Sequence, residues 1–267
     1  MTEAPAVYND ILYVEKDGVA TVTLNRPDAL NAIRPGMYEE IADAIHRAGW
    51  NTDIGVIVLT GAGDRAFCVG GDTGVKKSER NGKGILGVPV EQIHAAIRDV
   101  PKPVIAKVRG YAIGGGNVLA TICDLTIAAQ TAQFGQVGPK VGSVDPGFGT
   151  AYLARIVGEK KAREFWYLCL RYTAEEALAM GLVNKVVPDA ELDAEVDRWC
   201  QLILERSPTA LAIAKASFNA DSENIRGISQ QGFRSVALYY QTDEAKEAAA
   251  AFREKRKPRF RPAKGGK

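Results

Sequence analysis

The chain has 267 residues and a formal net charge of +2, with 46% hydrophobic and 25% charged residues. Those are the proportions of a soluble globular protein with one large core, or a core plus a small lobe. The charge balance offers no global field for nucleic acid or acidic lipid. No run reaches the ~18 apolar residues of a membrane span, and MTEAPAVYND lacks the apolar segment of an export signal. A cytoplasmic location without a membrane partner is therefore expected. Cys68, Cys123, Cys169 and Cys200 lie far apart with no C-x-x-C spacing, so buried free thiols are expected rather than disulfides or zinc ligands.

In chain order, Tyr13–Lys16, the turn pair Asp17-Gly18 and Val19–Leu24 read as a hairpin, with Ala20, Val22 and Leu24 alternating with threonines. Met37, Ile41, Ile45 and Ala48 recur at helical spacing over Met37–Trp50. Val56–Thr60 is a short apolar run suited to a strand buried on both faces. A glycine-rich loop, a helix near Val90–Ile97, a strand over Pro103–Val108, a second glycine cluster with a helix, and a strand over Leu125–Ala128 follow. Repeated strand–loop–helix units predict an α/β core with parallel strands. Beyond Gly147 the pattern is mostly helical: Ala151–Ile156, Lys160–Leu170, Ala174–Met180, Glu191–Glu205 and Pro208–Asn219. The last 16 residues, FREKRKPRFRPAKGGK, form a basic tail expected to fray. The expected organisation is an α/β core over residues 1–197 and a helical region over 198–267.

Two glycine clusters each end a strand: Phe67-Cys68-Val69-Gly70-Gly71-Asp72 and Gly110-Tyr111-Ala112-Ile113-Gly114-Gly115-Gly116-Asn117. Backbone N–H groups without neighbouring side chains can approach a ligand closely, and two aimed at one oxygen make an oxyanion hole. Tight turns explain such clusters equally well, and neither fits a nucleotide-phosphate pattern.

The succession Asn25-Arg26-Pro27, Asn31-Ala32, F-C-V-G-G-D, P-K-P-V-I-A-K-V-R-G-Y-A-I-G-G-G, C-D-L-T-I-A-A and F-G-Q closely resembles the crotonase (enoyl-CoA hydratase/isomerase) superfamily over nearly the whole chain. The resemblance implies a spiral of ββα units with a C-terminal helical extension, assembled as homotrimers or homohexamers. It also implies an acyl-CoA substrate whose thioester oxygen is held by the amides of Gly71 and Gly115, with Asn31 and Ala32 lining the coenzyme A side. Hydratases of the family carry two glutamates, and those positions are Val118 and Gly138 here. Neither handles a proton, so simple hydration is not expected.

The stretch G-Q-V-G-P-K-V-G-S-V-D resembles the branch containing dihydroxynaphthoyl-CoA synthase and 2-ketocyclohexanecarboxyl-CoA hydrolase. The resemblance implies that Ser143 and Asp145 line the active site with Tyr240, that Lys255 meets coenzyme A phosphates, and that Gln136, Gly138 and Trp166 match a pocket where some synthases hold bicarbonate. Each has an alternative: a turn or N-cap role for Asp145, a loop hydroxyl for Ser143, core packing for Tyr240 and Trp166, and a solvated tail for Lys255. His46 and His94 read as helix-surface or core residues, with no Ser-His-Asp triad. Val137 stands where bicarbonate-using synthases have threonine, Pro146 where they have glycine, and the Asp72–Gln92 loop has no tyrosine. These departures point to the ring-opening hydrolase, with ring closure by a synthase as the alternative. No cofactor is expected beyond the coenzyme A of the substrate, and bicarbonate is not expected to be required. A dehalogenase using an aspartate near position 145 with His94, and an RNA-binding role for the 252–267 segment, are the readings from other classes.

Overall fold

Asp17 and Gly18 both take positive φ, 50° and 80°, which is what a two-residue hairpin turn demands. They join β1 (Ile11–Lys16) to β2 (Val19–Leu24) as expected, with Lys16 opposite Val19. The computed structural model describes residues 8–75 and 82–261. The first seven residues of the leader reading, residues 76–81 of the tyrosine-free loop and residues 262–267 of the basic tail lie outside them.

After α1 (Pro35–Trp50) come three successive units: β3 (Val56–Gly61), β4 (Ala66–Cys68) and α2 (Val90–Asp99); β5 (Val104–Val108), β6 (Tyr111–Ile113) and α3 (Gly115–Ile122); β7 (Leu125–Ala129), β8 (Gln133–Gly135) and α4 (Gly138–Val141). In each unit the first strand joins a six-stranded sheet, β1-β2-β3-β5-β7-β10, and the second joins a four-stranded sheet closed by β9. Pairing is parallel throughout the repeats and antiparallel only at β1/β2 and β8/β9. This is the expected spiral of ββα units.

The long strands are buried on both faces, as the run at Val56 predicts. Ile57 and Leu59 point into the main core, whereas Val56 and Val58, with Ile105, Ile127 and Ala129, face Leu192, Val196 and Cys200. Those three residues recur every fourth position on α8 (Leu192–Leu204), so one helical stripe closes the outer sheet face.

The helical part comprises a single π turn over Phe148–Tyr152, α5 (Leu153–Val157), α6 (Glu159–Leu168), α7 (Ala174–Ala179), α8, α9 (Pro208–Asp221), α10 (Asn224–Tyr239) and α11 (Asp243–Arg253). β9 (Arg171–Thr173) and β10 (Lys185–Val187) flank α7 and return the chain to both sheets. Residue 197, where the core is expected to end, lies within α8. Lys215 is the one buried residue of α9. Its ammonium donates to the carbonyls of Ile97 and Lys102 and to Asp124 Oδ2, at 2.7, 2.8 and 2.8 Å, tying α9 to the end of α2. All four cysteines are free and buried, as expected. Among the described residues no helix is long and apolar enough to cross a membrane.

Candidate active site

β4 and α3 meet through backbone alone. A Cβ on Gly70 would lie 2.7 Å from Gly115 N, one on Gly115 would lie 3.1 Å from Gly70 Cα, and one on Gly116 only 2.0 Å from Cys68 O. Gly70 and Gly116 leave no room for a side chain without moving backbone, and Gly115 admits one only if Gly70 gives slightly. The segment after β4 is held by Ile33, whose N–H donates to Gly70 O at 2.8 Å and whose carbonyl accepts from Asp72 N–H at 2.9 Å. Both bonds spare the Gly71 N–H, and Gly71 N lies 3.9 Å from the Cβ position of Gly115. Gly115 is the first residue of α3, where an N–H has no acceptor in its own helix and the helix dipole is positive. Two amides from separate elements thus come together, and they can polarise one oxygen.

Arg26 and Asn31 build this corner. Arg26 Nη1 donates to Asp72 Oδ2 at 2.9 Å and to Ala32 O at 2.6 Å. Asn31 is fully buried; its Oδ1 accepts from Arg26 N–H, and its Nδ2 donates to Ala62 O and Ala66 O. The Asn31 side chain is thereby occupied in holding loops together, and Ala32 is a buried neighbour whose carbonyl secures Arg26.

The other sequence-predicted residues lie on the segment after α4. Gly142 is left-handed at φ 75°, and a Cβ there would lie 2.7 Å from Ala245 O on α11. A Cβ on Gly147 would meet Ser229 at 2.6 Å, and one on Gly232 would meet Pro146 at 2.2 Å. Glycines therefore seat α10 and α11 directly on the 142–147 loop. That seating brings Tyr240, just past α10, to Ser143: the two hydroxyls are 2.8 Å apart.

Asp145 follows two residues after Ser143 on the same loop, its side chain 15% exposed. A hydrogen bond from the Gly149 backbone supports the carboxylate, while its Oδ1 has no partner among the described residues. Burial raises its pKa from 3.8 to about 7, against the smaller lowering by that backbone bond. Asp145 does take a turn-type hydrogen bond, but its surroundings are those of a carboxylate poised near neutrality.

His94 of α2 is buried, not at the helix surface. Its Nε2 is 4.0 Å from Asp145 Oδ2, and burial pushes its pKa down to about 4. It makes no hydrogen bond to Ser143, so no triad forms among the described residues.

Trp166 is packed against the same loop: its indole N–H donates to Gly149 O. A Cβ on Gly138 would lie 2.8 Å from its ring and 2.4 Å from Ser143 O. Val118 is fully buried, and its Cγ2 would sit 3.1 Å from a Cβ on Gly149, itself 2.9 Å from Asp145 Cβ. Gln136 is buried with both amide atoms unpartnered, as is the side chain of Asn117. Buried amides without protein partners among the described residues call for another group to pair with them, an ordered water or a bound molecule. Lys255 is exposed after α11, at φ 54°. His94 and Gly149 belong to this neighbourhood; the sequence reading gave Gly149 no role and gave His94 one only in the dehalogenase alternative. The i, i+1 and i+4 placement of Ile93, His94 and Ile97 marks His94 as core-facing, but not which loop it meets. A separate hollow of about 440 Å³ on the outer face of the large sheet has its cations, Lys107 and Arg109, paired with Asp193, and it holds none of this chemistry.

The family profile described as enoyl-CoA hydratase/isomerase matches residues 14–263. Among solved structures, an enoyl-CoA hydratase from Mycobacterium avium subsp. paratuberculosis K-10 is 32% identical, with a TM-score of 0.85 over 95% of this chain and 99% of that one. An enoyl-CoA hydratase/isomerase from Pseudoalteromonas atlantica T6c is 26% identical, with a TM-score of 0.86 over 95% and 100%. A carnitinyl-CoA hydratase from Mycobacterium avium is 28% identical, with a TM-score of 0.81 over 96% and 99%.

Proposed function

The chain belongs to the enoyl-CoA hydratase/isomerase family and acts on coenzyme A thioesters, and within it we propose a β-ketoacyl-CoA hydrolase that opens a cyclic substrate of the 2-ketocyclohexanecarboxyl-CoA type. One observation carries this reading: the Ser143–Tyr240 hydroxyl pair, whose serine lies on the loop that also carries the buried Asp145 carboxylate, with Val118 and Gly138 where the family resemblance places glutamates. The acid–base equipment of hydration is replaced by a set suited to a ketone and a water.

In the reaction, Asp145 takes a proton from water as its oxygen bonds to the ring ketone carbon, whose oxygen accepts from Ser143 or Tyr240. The bond from that carbon to the α-carbon breaks, giving a carboxylic acid. Its electron pair moves into the thioester as an enolate held by the Gly71 and Gly115 amides. Tyr240 gives a proton to the α-carbon and is reprotonated at the expense of the proton Asp145 took from water, so one water is added with no net redox change. Lys255 would meet the phosphates of coenzyme A, and Gln136 would face the acyl group. With Val137 in place of a hydroxyl, added bicarbonate is not required. Assembly as trimers or hexamers is part of the same proposal; the exposed Ile213, Phe218 and Leu238 on α9 and α10 offer apolar surface for it.

The test offers the purified protein 2-ketocyclohexanecarboxyl-CoA and o-succinylbenzoyl-CoA separately, without bicarbonate. Opening of the first and no cyclisation of the second is expected. The reverse outcome makes the protein a dihydroxynaphthoyl-CoA synthase, and chloride release from 4-chlorobenzoyl-CoA makes it a dehalogenase.

A further inference from the structure

His94 is buried 4.0 Å from the carboxylate of Asp145, the base of the ring-opening steps above, yet those steps leave His94 itself unused. The imidazole sits edge-on to Phe148, with centroids 5.3 Å apart, and 6.3 Å from the ring of Phe233. These two rings fix its plane. Nδ1 has no hydrogen-bond partner among the described residues, whereas Nε2 faces a carboxylate oxygen. A proton on Nδ1 would leave a buried donor orphaned and turn a lone pair toward Asp145, so the neutral ring carries its proton on Nε2.

Other charges do not compete for it. On α2, Glu91 Oε1 accepts from Ile85 N–H, and Arg98 is turned to Ser222 and to the Phe148 and Tyr152 rings. The π turn and α10 present Phe148 and Phe233. Burial alone shifts His94: neither α1 and α3, which also pack on α2, nor Asp145 at its 4.0 Å separation adds a charge contribution. Asp145 is the only carboxylate within 4.0 Å of its nitrogens among the described residues.

We propose that His94 is a positioning residue for the Asp145 base: its Nε2–H anchors Oδ2 of the carboxylate when substrate is seated, leaving Oδ1 to take the proton of the attacking water. A 4.0 Å separation is longer than a hydrogen bond, and an approach of roughly 1 Å closes it; such bonds tighten in the substrate complex. Asp145 Oδ1, without a partner among the described residues, is the free oxygen this division of labour needs. The role rests on the ring-opening reading for its reaction, but the pairing itself does not.

The test is the ¹³C titration of the Asp145 carboxyl carbon, assigned with Asp145→Asn, in the protein alone and with cyclohexanecarboxyl-CoA added. Loss of a hydrogen bond to a charged acceptor moves such a midpoint up by roughly one to two pH units. That rise is expected in His94→Phe and in His94→Leu, either of which suffices if the other fails to fold. His94→Gln, which keeps a donor, is expected to restore most of it. Midpoints within a few tenths of wild type for the Phe or Leu variant, in both conditions, overturn the proposal. The ascending limb of the ring-opening rate is expected to move with the midpoint. If the wild-type protein opens no β-keto ring, that reading falls, and the titration still decides the role of His94.

Discussion

Asp145→Asn is expected to lower turnover ~10²–10⁴-fold, the range for a lost general acid–base group, with little change in thioester binding. Asparagine keeps the shape and the acceptor for the Gly149 N–H but cannot take a proton from water. The same substitution is expected to stabilise the fold at alkaline pH. The Asp145 pKa rises from 3.8 in the unfolded chain to about 7 in the folded one, so between those values the folded protein holds the extra proton. Stability from this group is full below pH 4 and is lost as pH rises through about 7. At about 1.4 kcal/mol per unit, the whole span amounts to a few kcal/mol. Thermal melts should therefore show Asp145→Asn above wild type at pH 8 and level with it at pH 4. Catalysis takes the opposite sign, because the base works only when ionised: wild-type turnover should climb through about pH 7. A variant that retains wild-type turnover, or a melting difference that is independent of pH, contradicts the assignment of Asp145.

Removing one oxyanion donor is the second large effect. Gly115 opens α3, a position that tolerates proline because its N–H has no acceptor in its own helix. Gly115→Pro deletes that N–H, and kcat/KM is expected to fall ~10²–10³-fold relative to Gly115→Ala. The alanine variant is the necessary reference, since its Cβ stands 3.1 Å from Gly70 Cα and costs something by contact alone. Equal activity of the two variants, both folded by circular dichroism, removes Gly115 from the oxyanion site.

Much of the scaffold is legible from local pattern. Asp17-Gly18 announces its hairpin because few residues tolerate two successive positive φ values, and Val56–Leu59 announces a buried strand because both of its faces are apolar. The second sheet is not legible in that way. Ala66–Cys68, Tyr111–Ile113 and Gln133–Gly135 are three residues each, too short for an alternating period to emerge, and two of them lie inside glycine clusters that read equally well as turns. The Gly71 and Gly115 amides and the Ser143, Asp145 and Tyr240 set come from the family resemblance, whereas their meeting comes from tertiary packing. Tyr240 reaches Ser143 only because Gly142, Gly147 and Gly232 let α10 and α11 close on the loop. Likewise Asp145 looks like a turn residue in sequence; its burial, and its approach to His94 of α2, come from packing of elements far apart in the chain. The Asn31 side chain, by contrast, is spent on Ala62, Ala66 and Arg26 rather than aimed outward, which no spacing reveals.

The central claim is that water enters at the ring ketone and a carbon–carbon bond breaks. Turnover of 2-ketocyclohexanecarboxyl-CoA in ¹⁸O-labelled water, followed by mass spectrometry of the product, tests it most directly. The account predicts an open-chain dicarboxylic monothioester, still attached to coenzyme A, with one label in its free carboxylate. Label in a released keto acid beside free coenzyme A, or recovery of the ring thioester intact, would contradict it.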